Sequence, residues 1–208
     1  MPSLTERRKA TQRRALAKQK KRIGLRNRIN GAIARARVRI GRRRKLIDAA
    51  SANPGEKAVR YLEGYVGKTE NNNSAPFLKA WWAKLSMAWM DHQPWCGGAC
   101  VAAWELGANH PVPHDSVSTI AIANRAARGD GFTRVPFEQT QAGDFVVMHF
   151  GSGQPKHVGL ARGPMKGNVF HNVEGNTSSS NSGSQSDGGG VFPRSRPRGL
   201  VHTVARPK

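Results

Sequence analysis

The chain has 208 residues, with 34 Lys and Arg against 13 Asp and Glu and a net charge of +21. Its two cysteines are too few for a disulfide-stapled secreted scaffold, and nothing approaches the ~18 consecutive apolar residues of a membrane helix. The basic start is not followed by the apolar run of roughly seven to fifteen residues that a secretory signal needs.

The charge divides the chain. Residues 1–47 hold 18 of the 34 basic residues and one acid, Glu6, so +17 of the +21 lies there; the other 16 basic and 12 acidic residues contribute +4. Within this tail Leu25, Ile29, Ala32, Ala36 and Ile40 recur at helical spacing, which predicts a basic amphipathic helix. Gly24, Gly31 and Gly41 each weaken it by ~1 kcal/mol relative to alanine. Like-charge repulsion leaves the helix marginal or disordered alone, and it is expected to order on an anionic surface. The anion-binding set is Arg7, Arg8, Arg13, Arg14, Lys20, Lys21, Arg22, Arg35, Arg37, Arg39, Arg42, Arg43 and Arg44. Teichoic acid, lipopolysaccharide, anionic lipid and nucleic acid all offer phosphate arrays that such a stripe binds by counterion release. The tail has no aromatic residue, which argues against base stacking. The bland alternative is a solubilising tail.

Residues 48–208 form one domain, large enough to bury about two-thirds of its unfolded surface. Asn53 is a good N-cap with Pro54 at the first helical position, and Ala58, Leu62 and Tyr65 mark a buried face up to Gly67. A polar turn at Asn71 to Ser74 precedes a second helix spanning Phe77 to Trp89. The third begins at Cys96 and runs through Trp104 to Gly107, and a short one covers Ser118 to Arg128. Short apolar runs then predict strands at Phe145 to Met148, His157 to Ala161, Val169 to Val173 and Leu200 to Val204. Helices first and strands after make an α+β fold. The Ser/Gly/Asn-rich stretch from Ser178 to Gly190 reads as a loop.

Cys96 stands where a turn meets an apolar helix, in Gln93-Pro94-Trp95-Cys96-Gly97-Gly98. A thiol at a helix start feels the positive end of the macrodipole, which favours the thiolate, the attacking form. His157 opens an apolar strand and offers a base. Glu174 and Asn176, two apart on a strand, project from one face as groups able to orient that base, whereas His171 is out of phase with both. Thiol, imidazole and an orienting group are the parts of a cysteine hydrolase. The oxyanion donors expected are the Cys96 N–H and, by proximity in sequence, Gln93. His92, Cys96 and Cys100 are spaced as ligands on one helix face but lack a fourth, so no metal is expected, and no cofactor. Cys100 reads as a packed residue one turn below the nucleophile.

These residues resemble the CHAP family, the cysteine- and histidine-dependent amidohydrolases and peptidases of phage lysins and bacterial cell-wall hydrolases. Gln93-Pro94-Trp95-Cys96 is similar to its nucleophile segment, Ala142-Gly143-Asp144-Phe145-Val146-Val147 to its Gly-Asp strand entry, and His157-Val158-Gly159 to its histidine strand. Glu174-Gly175-Asn176-Thr177-Ser178 resembles the stretch that closes many phage members. The likeness spans roughly residues 54 to 205. It implies a papain-like arrangement, with the nucleophile helix packed on an antiparallel sheet. By the same likeness Cys96 is the nucleophile, His157 the general base, and Glu174 with Asn176 the orienting groups. It further implies a peptidoglycan amide substrate cleaved through a thioester. The enzyme would be made in the host cytoplasm as a phage protein and would reach the wall by holin release or as a virion component. Some members bind calcium before the cysteine; here that stretch offers only Asp91 and His92, poor service for a hard cation. The competing reading is a virion structural or nucleic-acid-binding protein whose tail binds and whose hydrolase fold is a scaffold.

Overall fold

A computed structural model describes residues 53–208, apart from 152, 166, 181–182 and 185–186. The tail and its basic residues lie outside the described residues. Helix α1 (Pro54–Glu63) starts as its sequence dictates: the Asn53 side chain accepts the Glu56 N–H at 2.9 Å and Pro54 takes the first helical position. It buries Ala58, Val59 and Leu62 and stops at Glu63, one turn before Gly67. Helix α2 (Pro76–Lys84) buries Leu78, Trp81 and Trp82. It ends well before Trp89, because Ser86 turns to a positive φ of 56° and the chain re-forms only as a 3₁₀ turn at Ala88–Met90. Trp89 is consequently 60% exposed instead of core.

Helix α3 (Cys96–Ala102) is buried along its whole length and passes directly into a π-helical turn, Ala103–Gly107. Helix α4 (Thr119–Arg128) is capped by the Ser118 hydroxyl, which accepts the Ala121 N–H. Among the described residues no helix is long and apolar enough to cross a membrane.

Among the described residues six strands follow: β1 (Phe132–Val135), β2 (Phe145–Met148), β3 (His157–Ala161), β4 (Val169–Thr177), β5 (Gly190–Pro197) and β6 (Val201–Pro207). They form one antiparallel sheet in the order β1-β6-β2-β3-β4-β5. β2 and β3 have the expected bounds, while β4 runs on to Thr177 and β6 to Pro207. The two strands not expected from sequence have weak signals. β1 is four residues long, and β5 carries Pro193 and Pro197, which a strand tolerates at a sheet edge, where β5 lies. The fold is α+β, with the helix that carries Cys96 packed on the antiparallel sheet.

Side-chain alternation along the strands gives the sheet two apolar faces. Phe145, Val147, Val158, Leu160 and Val173 pack with the helices, and Val146, Met148, Ala161, Phe170 and Val204 pack on the other side. Trp81, Trp82 and Trp95 anchor the first cluster, with ring centroids 6.1–6.5 Å from Trp81 to the other two. Each removes ~200 Å² from water, about 5 kcal/mol before the entropy of ordering is charged against it.

Candidate active site

Cys96 is the first residue of α3 and only 5% exposed, and His157, the first residue of β3, is fully buried. Two glycines allow the helix and the strands to meet closely enough to bring these groups together. A Cβ on Gly175 would fall 2.5 Å from the Ala99 Cβ and 2.6 Å from the Trp95 ring, so glycine is what lets α3 lie on β4. A Cβ on Gly159 would fall 2.5 Å from the Glu174 Cγ, so the space under Glu174 is free only because β3 has no side chain there.

His157 donates its Nε2–H to Glu174 Oε2 at 3.0 Å, and both side chains are fully buried. That bond leaves Nδ1 for the thiol. Nδ1 makes no hydrogen bond of normal geometry, as in many free enzymes whose catalytic contacts tighten only with substrate. Burial alone would push His157 down, but its contacts with Cys96 and Glu174 outweigh burial and raise it to about 9. Burial would likewise raise Glu174, and hydrogen bonds from His157 and Arg196 instead lower it to about 2. The site therefore holds an imidazolium and a fixed carboxylate at neutral pH.

Glu174 is held on every side. Arg196 Nε reaches Oε1 at 3.0 Å, Arg196 Nη2 reaches Oε2 at 2.6 Å, and Asn172 Nδ2 reaches Oε1 at 3.4 Å. Neither Arg196 nor Asn172 stands out in the sequence. Asn172 had the same two-residue spacing from Glu174 that pointed to Asn176, on the other side. Arg196 had no signal, since it comes from a strand that the prolines concealed.

Asn176 is placed differently from its expectation. The β4–β5 register shifts between Glu174 and Thr177, and Asn176 adopts a φ of 56°, so the alternation that ties Glu174 to its face ends before Asn176. Its amide donates to Asp187 Oδ1 at 3.3 Å, not to His157. His171 faces away as phased, with Nδ1 2.8 Å from Ser195 Oγ. The Gln93 side chain is exposed, while its backbone N–H donates to the Met90 carbonyl. Among the described residues no side chain caps the start of α3. Cys100 is a free, buried thiol pushed well up by its burial. His92 lies on the surface with Nδ1 2.9 Å from the Asn72 carbonyl. Among the described residues no three His, Cys, Asp or Glu side chains converge as metal ligands.

An α+β fold with cysteine, histidine and glutamate gathered at one helix start is thus the class of site this chain builds. No protein-family model matches the chain, and no curated protein matches it. Among solved structures, the crystal structure of a wild type endolysin LysIME-EF1 is similar, with a TM-score of 0.44 and 19% identity over 74% of this chain. The chain spans 63% of the length of that one.

Proposed function

We propose that this protein is a cysteine-dependent hydrolase of an amide bond in peptidoglycan. The observation that carries the chemistry is the buried His157–Glu174 pair, 3.0 Å apart, whose remaining imidazole nitrogen is left for Cys96. Cys96 Sγ attacks the amide carbonyl carbon as the thiolate of a thiolate–imidazolium pair, its proton already resting on His157. The oxyanion forms beside the Cys96 N–H. His157 then returns the proton to the leaving amine, the C–N bond breaks, and a thioester remains. Water, deprotonated by His157, adds to the thioester and releases the carboxylic acid and the thiol. Glu174 keeps the imidazole in the tautomer and orientation that this shuttle needs.

The substrate class rests on the resemblance of Gln93-Pro94-Trp95-Cys96, Gly143-Asp144 and His157-Val158-Gly159 to CHAP wall hydrolases. The bond is either that joining N-acetylmuramic acid to L-alanine or a peptide bond of the stem or cross-bridge. The basic tail, 1–47, serves as an anionic-polymer anchor at the bacterial wall. Zymography on peptidoglycan with mass analysis of the released fragments tests this reading and identifies the bond. Cys96→Ala is expected to abolish lysis with the circular dichroism spectrum unchanged, and Cys100→Ala to keep most of it. Full lysis by Cys96→Ala would overturn the assignment.

A further inference from the structure

The guanidinium of Arg196 lies against the carboxylate that holds His157. It is 4% exposed, reaches both oxygens of Glu174, and also donates to Thr177 Oγ1 at 3.2 Å. Its carbon lies 5.6 Å from the centre of the Phe150 ring, and that ring lies 6.2 Å from the His157 ring. In the β4–β5 register Phe170 is the residue opposite Arg196, and Phe192 is opposite Glu174. The arginine therefore runs along the sheet to reach a carboxylate four register positions away, with Asn172 and Arg194 paired between them.

We propose that Arg196 is a positioning residue: by gripping both oxygens of Glu174 it fixes the one that holds His157 and keeps the proton on the imidazole. A two-point arginine–carboxylate contact adds direction as well as charge, which a lysine in its place cannot supply. An unheld glutamate could rotate away from His157 or accept its proton; in either case the imidazole loses the geometry needed to face Cys96. The charged and titratable groups acting on Glu174 are His157 on β3, Arg194 and Arg196 on β5, and Cys100 on α3, with Asn172 and Thr177 completing the polar surround. Arg196 and His157 are both in direct contact with the carboxylate.

This inference rests on the hydrolase reading for its kinetic arm only. Wild-type full-length protein, Arg196→Lys and Arg196→Met are compared by the pH dependence of kcat and KM on solubilised peptidoglycan. The Glu174 carboxyl of the same proteins, ¹³C-labelled, is titrated by NMR. The expected result is a loss of kcat of about 10²-fold in Arg196→Lys, the scale of a 1 Å misplacement, with KM nearly unchanged. The Glu174 titration should also move upward by at least one pH unit. Arg196→Met should show the larger upward shift, and should it fail to fold, Arg196→Lys alone decides. A folded Arg196→Lys with wild-type kcat and an unmoved Glu174 titration overturns the proposal. Inactivity of the wild type on peptidoglycan with a shifted carboxyl titration would instead overturn the substrate assignment and leave the role of Arg196 standing.

Discussion

Replacing Glu174 by glutamine keeps the shape of the side chain and removes its charge from a fully buried site, leaving the Arg196 guanidinium at 4% exposure facing a neutral amide. Two routes give the size of the loss. Holding a carboxyl at about 2 that would otherwise titrate at 4.5 corresponds to roughly 3 kcal/mol at ~1.4 kcal/mol per pKa unit. Breaking a buried ion pair by removing one partner costs about 3–5 kcal/mol. With a urea slope of ~2 kcal/mol/M, the unfolding midpoint of Glu174→Gln at pH 7 should fall by about 1.5 M, read by tryptophan fluorescence. The acid limb supplies the sign. A depressed carboxyl contributes fully above pH 4.5 and loses that contribution as pH falls through about 2, so the wild type should weaken over this window more than Glu174→Gln, which keeps only the acid sensitivity of other depressed carboxyls such as Asp91 and Glu138. Adding Arg196→Met to Glu174→Gln should recover most of the loss, because the stranded charge is gone. A midpoint change equivalent to less than ~1 kcal/mol in the single variant would show that the buried pair does not compensate its own burial in this way.

Three further outcomes follow from the same geometry. His157, raised to about 9 from 6.5, contributes stability in full below pH 6.5 and loses it as pH rises through about 9; thermal melts of His157→Gln across pH 6–10 should lack the alkaline decline of the wild type. Gly175→Ala places a methyl 2.5 Å from Ala99 and 2.6 Å from Trp95, and should cost about 1–3 kcal/mol and most of the activity by lifting α3 from β4, whereas a melt and activity equal to wild type would mean the contact yields freely. Deleting residues 1–47 removes +17 of charge and none of the proposed catalytic groups, so cleavage of soluble wall fragments should persist while retention on walls, steeply salt-dependent in the full chain, is lost. Equal retention of both chains at every salt concentration would make the tail a solubilising segment.

What could be read from the sequence tracks how local each determinant is. Asn53-Pro54 and Ser118 announce helix starts because a cap is a contact between residues three apart. β2 and β3 are legible because both are short unbroken apolar runs. Glu174 could be proposed from strand phase alone, since period-two alternation needs only the strand itself. That same phase misplaces Asn176, because the register shift after Glu174 is set by pairing with β5, a strand that its two prolines hide. Arg196 is invisible for the same reason twice over: its strand is concealed, and its partner stands twenty-two residues away across a register that no spacing rule reports. Trp89 fails in the opposite direction. Its aromatic spacing continues the pattern of Phe77, Trp81 and Trp82, yet Ser86 breaks the helix by backbone conformation and turns a core-like residue to solvent. The thiol and imidazole are thus marked by local context, while the groups that hold the imidazole in place belong to the sheet. A variant survey confined to the motif residues would miss Arg196, the side chain with the most contacts to the Glu174 carboxylate.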